Sequence, residues 1–521
     1  MTNYNEDYQY NSCTSRGICS VNPRTSSLQE ILLIYITISA YYVLKLKESG
    51  YKNKPIRNLI LNTISITVSN PEFSENDFNA IIKGFNEELP KIIDMYIDFC
   101  KRNGKEPEHL EIPAELNKSE NIVDSIRLGQ KEYLKRIKNL SESMRDLYRI
   151  MFVLAKSICI NILDLESFGV DDGYILILEL LNKLNFNNEE NELKTFILNI
   201  AEADNKLMKR LYFLKEEKYG VQRPKEVSYS TIPGKAILVV GSNIRELEII
   251  LEEFKEDEVF VYTHDEMMLA HTFPKFEEYA NLQGQFGQGM ENCLLDFATF
   301  PGPIILTRHS LYNVENLYRG RLYTTDFAYS KGVIPITDFS EVRKGIEETK
   351  GFKTGKVCSS EKVGFNYDDV IATIKTKLET ESYTKIFIIG LNGYTKEDRE
   401  YYNKFLDIVP DDVLVISLSC YKEKNNVVYL NACFDSYAML RISDEILNQY
   451  DLKTYLIFPK CDIHTISKMI YFSNRKGSFV YVGKCTPITL NPNLIFTLTK
   501  IFNIKGLTTP KKDLERIMNE K

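Results

Sequence analysis

The chain has no tryptophan, five histidines and ten cysteines in 521 residues. The missing tryptophan decides nothing, but the few, scattered thiols exclude the disulfide framework of a small secreted domain. They fit reduced cysteines, some of them free to serve as metal ligands. Basic charge is short as well: 65 Lys and Arg against 72 Asp and Glu give a net charge of −7. That argues against nucleic acid or an anionic membrane as partner, since both need a basic face. Long apolar runs are lacking. The longest, Ile31 to Leu44, has about 14 residues against the roughly 20 that span a bilayer, and Glu30 and Lys45 flank it, so a buried helix is expected. The opening Met1-Thr2-Asn3-Tyr4-Asn5-Glu6 carries no basic-then-apolar leader, and a cytoplasmic location is the expectation. No Gly-x-Gly-x-x-Gly fingerprint follows a strand. Gly241-Ser242-Asn243 and Gly390-Leu391-Asn392-Gly393 read as turns, and Gly284-Gln285-Phe286-Gly287-Gln288-Gly289 follows a helical stretch, so NAD or ATP is not expected.

What is present is a chain long enough for about three domains, with 44% hydrophobic residues to fill their cores. Apolar residues recur at helical spacing over 28–49, 54–68, 76–103, 121–160 and 173–214, which predicts a helical domain over 1–220. Pro90 and Gly104-Lys105-Glu106-Pro107 are expected to break it into antiparallel helices. His109, Cys100 and Cys159 read as structural. The charged, turn-rich stretch 215–235 marks a boundary. Short β-branched runs then alternate with helical patterns: 236–241, 259–263 and 304–307 in a first α/β domain over 235–350, and 386–390, 413–418, 455–458 and 479–483 in a second over 360–521. Strand–helix–strand units of this length imply parallel sheets. Asn243, three residues before Glu246, reads as a helix N-cap.

In open parallel sheets ligands gather at the carboxyl ends of strands. Thr263, His264 and Glu266 follow one strand, Arg308, His309 and Ser310 another. Cys420 and Cys433 follow the strand at 413–418, and Cys461, Asp462 and His464 follow the strand at 455–458. Thiols, carboxylates and imidazoles mixed in this way suit a borderline transition metal better than magnesium or calcium. The other reading is that His264 and His309 cap helices and that Cys420 and Cys433 are small core residues. Near the N-terminus, Cys13 and Cys19 could share a metal cluster or be unligated thiols.

The order Ile237-Leu238-Val239-Val240-Gly241-Ser242, Val261 to His271, Ala298 to Thr307, Tyr323-Thr324-Thr325, Val409 to Leu414, Asp435-Ser436-Tyr437 and Leu490 to Leu494 resembles the hybrid-cluster proteins, or hydroxylamine reductases. Cys13-x5-Cys19 followed by Thr25-Ser26-Ser27-Leu28-Gln29 is similar to the end of that family's cluster-binding leader. The resemblance implies a multidomain α and α/β protein, an N-terminal helical-bundle domain followed by two Rossmann-like parallel-sheet domains. It also implies two iron–sulfur centres: a cubane on four N-terminal cysteines, and a hybrid cluster held by one His, two Glu and four Cys. The implied activity is reduction of hydroxylamine to ammonia and water, or of nitric oxide, with a small nitrogen-oxide substrate and an electron donor as partners.

Carried over position by position, Cys13 and Cys19 match the last two cubane ligands, while the first pair falls near Met1 and Tyr4. Glu266 matches one hybrid-cluster carboxylate, Cys420 and Cys433 match two cysteines, and Asp462 stands about where the second glutamate is expected. Ser242 holds the histidine position, Ser310 a cysteine position and Leu391 that of the sulfur-bearing cysteine. His309, Cys461 and His464 lie beside these positions as substitute ligands. The expectation is an iron–sulfur oxidoreductase with an altered or incomplete metal site. The alternative is a clusterless scaffold that binds a small molecule or a protein.

Overall fold

The computed structural model describes residues 23–67, 71, 73–116, 121–138, 140–287, 292–390, 396–419, 424–432, 435–461, 463–485 and 492–520. The chain divides into two compact units. One comprises Met1–Leu207, Ala328–Lys331 and Pro487–Thr497; the other comprises Met208–Phe327, Gly332–Thr486 and Leu498–Lys521.

The first unit is helical. It holds α1 (Pro23–Lys45), α2 (Lys54–Ile66), α3 (Glu75–Arg102), α4 (Ile122–Lys138), α5 (Glu142–Ser167), α6 (Tyr174–Lys183) and the first part of α7 (Glu190–Tyr219). Helix α1 contains the apolar run and is buried at Leu28, Ile31, Leu32, Tyr35 and Ile36 against α2, α3, α4 and α6. By length and composition it could cross a membrane, but 72% of its apolar window is buried inside the protein. Each such fully buried Leu or Ile contributes about 1.5–3 kcal/mol. Cys159 is buried on α5 and its thiol donates to Leu61 O at 3.4 Å. Cys100 is buried and His109 exposed.

Three sequence expectations for these helices needed correcting. Pro90 lies inside α3 and does not break it. The proline is on the exposed face, where the carbonyl deprived of its helical N–H can face water. The helical stretch 121–160 is two helices, because Ser141 starts α5 by accepting Met144 N–H at 3.3 Å. The stretch 173–214 is also two, α6 and α7, separated by 184–189.

The second unit begins with the end of α7 and an antiparallel ribbon of β1 (Lys225–Ser228) and β8 (Ser360–Val363). Its first sheet is built from β2 (Lys235–Val240), β3 (Val259–His264), β4 (Leu282–Gln285), β5 (Ile304–Leu306), β6 (Leu322–Thr324) and β7 (Ile334–Pro335), in the order β4-β3-β2-β5-β6-β7. The second is built from β9 (Lys385–Ile389), β10 (Val413–Ser417), β11 (Val427–Tyr429), β12 (Thr454–Cys461), β13 (Ser478–Cys485) and β14 (Lys505–Gly506), in the order β11-β10-β9-β12-β13-β14. Every pair within the two sheets is parallel. Counted from its first strand, each sheet has the order 3-2-1-4-5-6 of Rossmann-like sheets. The apolar runs Ala236–Val240 and Val413–Ile416 are fully buried, as strands covered on both faces must be. Helices α8 (Ile244–Glu253), α9 (Cys293–Thr299), α10 (Ser340–Glu348), α11 (Tyr367–Thr380), α12 (Lys396–Ile408), α13 (Ser436–Gln449), α14 (Ile463–Ser473), α15 (Pro492–Phe502) and α16 (Pro510–Met518) complete the described α-helices. Asn243 caps α8 as expected, its side chain accepting Glu246 N–H at 3.1 Å. The stretch after Asp265 is a 3-10 helix, Asp265–Thr272, and the glycine-rich stretch at 284 begins on strand β4.

Candidate functional site

Strand order reverses between β2 and β5, and the residues at their carboxyl ends meet. Thr307 donates from both its backbone N–H and its hydroxyl to Val240 O, each at 2.9 Å. Gly241 then takes φ +122°. A Cβ on Gly241 would lie 2.1 Å from Ser310 Oγ and 2.2 Å from Thr307 Oγ1, so no side chain fits there. The hydroxyl of Ser310 therefore packs over the residue that precedes Ser242.

One layer further out, α8 supplies the buried carboxylate of Glu246. It accepts Arg308 N–H at 2.7 Å and the Thr325 hydroxyl at 2.6 Å, with Arg308 Nε at 3.6 Å. Burial raises the Glu246 carboxyl above its ordinary value, opposed by Arg308 and Thr325. Beside it the His309 N–H donates to the buried carboxylate of Asp326 at 2.8 Å, with His309 in a left-handed backbone at φ +69°.

At the end of β3, the side chains of Thr263 and His264 turn inward. Thr263 Oγ1 lies 3.0 Å from His271 Nε2 and accepts from the Gln285 amide at 2.7 Å. The same amide's oxygen accepts Asp265 N–H at 3.0 Å. His264 is fully buried, with Nε2 3.1 Å from Asp296 Oδ2 and its ring 5.3 Å from that of Phe297; Nδ1 has no hydrogen-bond partner among the described residues. Burial, and then the charge of Lys225, pushes the imidazole of His271 down to about 4. The chain turns outward only at Asp265, at φ +59°, and delivers half-buried Glu266 to the edge. Tyr312 donates to Asp265 Oδ2 at 3.3 Å. Its phenol is held well above the ordinary range by burial, with the charge of Asp265 adding to it.

Thus Ser242, Glu266, His309 and Ser310 share the carboxyl edge of the first sheet, on the adjacent strands β3, β2 and β5. Thr263 and His264 are packing and hydrogen-bonding residues. Cys461 ends β12 and His464 lies in the first turn of α14, at the carboxyl edge of the second sheet. Cys13, Cys19, Leu391, Cys420, Cys433 and Asp462 lie outside the described residues. Among the described residues, no three His, Cys, Asp or Glu side chains are arranged to hold a metal ion.

Sequence reasoning missed Cys293, at the start of α9. Its thiol is pushed up to about 11, by burial first and by the carboxylates of Asp265 and Asp296, and so stays protonated. Only the fold brings it near β3. It also missed the backbone strain. Among the described residues, the non-glycine residues with left-handed backbone are Asp265, His309, Asn431 and Asn503. Three of these four stand one or two positions before Glu266, Ser310 and Cys433. Such strain clusters where surrounding structure fixes a functional geometry.

The profile of the Prismane/CO dehydrogenase family matches residues 8–439. The chain is 26% identical to a hydroxylamine reductase of Thermodesulfovibrio yellowstonii over 98% of each chain. It is 24% identical to one of Maridesulfovibrio salexigens over 97% of each. A solved structure of alpha subunits of acetyl-CoA synthase/carbon monoxide dehydrogenase has 11% identity and a TM-score of 0.46, over 97% of this chain and 84% of that one. With the family profile matched across most of its length, the chain belongs to the Prismane/CO dehydrogenase family.

Proposed function

We propose that the protein is a cytoplasmic iron–sulfur oxidoreductase of the hydroxylamine-reductase type, working with an altered metal site. The reaction is the two-electron reduction NH2OH + 2 e− + 2 H+ → NH3 + H2O, with nitric oxide as a second candidate substrate and a separate electron donor. The observation that carries this reading is the near full-length likeness to relatives named hydroxylamine reductase. Glu266, Cys420, Cys433 and Asp462 are the proposed ligands, with His309 as a substitute beside Ser310. Cys13 and Cys19 are the proposed thiols of the N-terminal centre.

The residues do not fit the complete hybrid cluster. Iron–sulfur clusters rely mainly on thiolates. The side chains at 242 and 310 are neutral hydroxyls, and that of Ser310 packs over Gly241. Leu391 has no lone pair to donate. Since each metal–ligand bond opposes dissociation, the missing donors favour a smaller centre. The same replacements support a second reading, a clusterless scaffold that binds a small molecule or a protein in the same fold.

Anaerobic purification with iron and sulfide determination separates the two. A coloured protein containing iron, which Cys433→Ala loses together with hydroxylamine-dependent oxidation of a reduced dye, supports the enzyme. A colourless, iron-free protein supports the scaffold.

A further inference from the structure

One backbone turn ties the edge of the first sheet to the edge of the second. The ribbon of β1 and β8 lies against the 3-10 helix that follows Glu266, where the fully buried Met268 clusters with Val227 of β1 and Val363 of β8, and Tyr229 packs beside them. The ribbon thus grips the chain two residues past Glu266. Directly after Val363, Gly364 takes φ +81° and its N–H donates to Asn431 O at 2.7 Å. Asn431, itself left-handed at φ +52°, stands between Leu430 and Ala432, whose N–H groups donate to Ser417 O at 2.9 Å and Leu418 O at 2.7 Å at the end of β10. The glycine therefore also holds the second sheet's edge, two residues before Cys433 in the sequence.

The joint leaves no room for a side chain. A Cβ on Gly364 would lie 2.6 Å from Thr272 Cγ2 and 3.3 Å from Arg223 O, and Arg223 N–H in turn donates to Thr272 O at 3.0 Å. Thr272 is fully buried and its hydroxyl donates to Leu269 O at 2.7 Å, so its methyl can turn aside only by giving up that bond. Close-packed contacts of this kind transmit a displacement instead of absorbing it.

We propose that Gly364 is a positioning residue: its turn fixes the separation between the edge that carries Glu266 and the edge that leads to Cys433, so that donors from two sheets serve one centre. The use made of that spacing rests on the hydroxylamine-reductase reading above. The mechanical link does not, because it is a contiguous chain of packing and hydrogen bonds from Met268 through Val363 and Gly364 to Asn431.

The test measures amide hydrogen exchange along the full chain, together with iron content. In Gly364→Ala, exchange should rise about tenfold in both 265–272 and 430–432. Gly320→Ala, at a left-handed glycine (φ +77°) with open space around it, should raise neither. Thr272→Ser keeps the hydroxyl and removes the methyl that the new Cβ would meet, so adding it to Gly364→Ala should return both segments toward wild type. Iron per chain should fall by about half in Gly364→Ala and recover in the double variant. Should Gly364→Ala fail to accumulate, Val363→Ala keeps the turn, loosens the ribbon from Met268 and must raise the same two segments together. A rise at one edge alone, an equal rise in Gly320→Ala, or no recovery with Thr272→Ser would overturn the proposal. Unchanged iron in Gly364→Ala, against an iron-bearing wild type, overturns the positioning role alone. An iron-free wild type removes the hydroxylamine-reductase reading and the positioning role with it.

Discussion

The two six-stranded sheets have one topology and different strand-end chemistry. In the first, the edge at the strand-order reversal is crowded and rich in oxygen: Ser310 packs over Gly241, and Glu246, Asp326 and Asp265 are engaged by backbone or side-chain donors. In the second, the corresponding positions carry sulfur in the sequence, at Cys420, Cys433, Cys461 and Cys485. The same strand order thus carries hard donors on one sheet and soft donors on the other. The comparison teaches that the fold fixes where chemistry stands while the residues at the strand ends decide which metals it tolerates.

The sharpest way to break this comparison is at the glycine that follows the first strand of each sheet. Gly241→Ala forces a side chain into a left-handed residue blocked by Ser310 and Thr307, and should cost about 2–3 kcal/mol in denaturant unfolding. An unchanged midpoint would show that the first sheet's edge is not crowded as described. Next in size is Asp296→Ala, which removes the only described hydrogen-bond partner of the buried His264 ring and should cost about 2 kcal/mol. A neutral result would mean that His264 finds water or another partner.

A pH series gives a comparable or smaller effect. The imidazole of His271 is held at about 4 against an ordinary 6.5, so the unfolded chain binds more protons between those values. Its contribution is present above about pH 6.5 and is lost as pH falls toward 4, by up to about 3 kcal/mol. Wild type should therefore lose more stability over that window than His271→Gln. Parallel pH curves would contradict the assignment. The smallest effect is expected from Gly390→Ala in the second sheet. The added Cβ would lie 2.6 Å from Met439 Sδ, a flexible side chain that can move, and the cost should be about 1 kcal/mol or less. A penalty equal to that of Gly241→Ala would erase the difference between the two edges.

Much of this fold was legible in the sequence. Buried β-branched runs such as 236–240 and 413–416 marked the central strands, and the helical spacing marked α1 to α7 in outline. Strands β6, β7 and β14 were not legible, because two or three residues carry no periodicity and neighbouring strands decide their pairing. Ser141 was a readable cap, hidden by the continuous apolar pattern around it. Pro90 misled because its exposed face, which makes it tolerable, is a tertiary fact. For the site, the position of Glu266 at the end of β3 was readable, but the inward turn of Thr263 and His264 was not: a strand's alternation does not say which side holds a polar partner. Cys293 beside Asp265 depends on packing that no single stretch of sequence contains.

The most direct test of the central claim is the iron and acid-labile sulfide content of anaerobically purified protein, read with its visible absorption. The account predicts a coloured protein holding iron, but less than a full cubane plus hybrid cluster, with the iron reduced in Glu266→Ala and in Cys433→Ala. A colourless protein without iron, or a full complement indifferent to both substitutions, would contradict it.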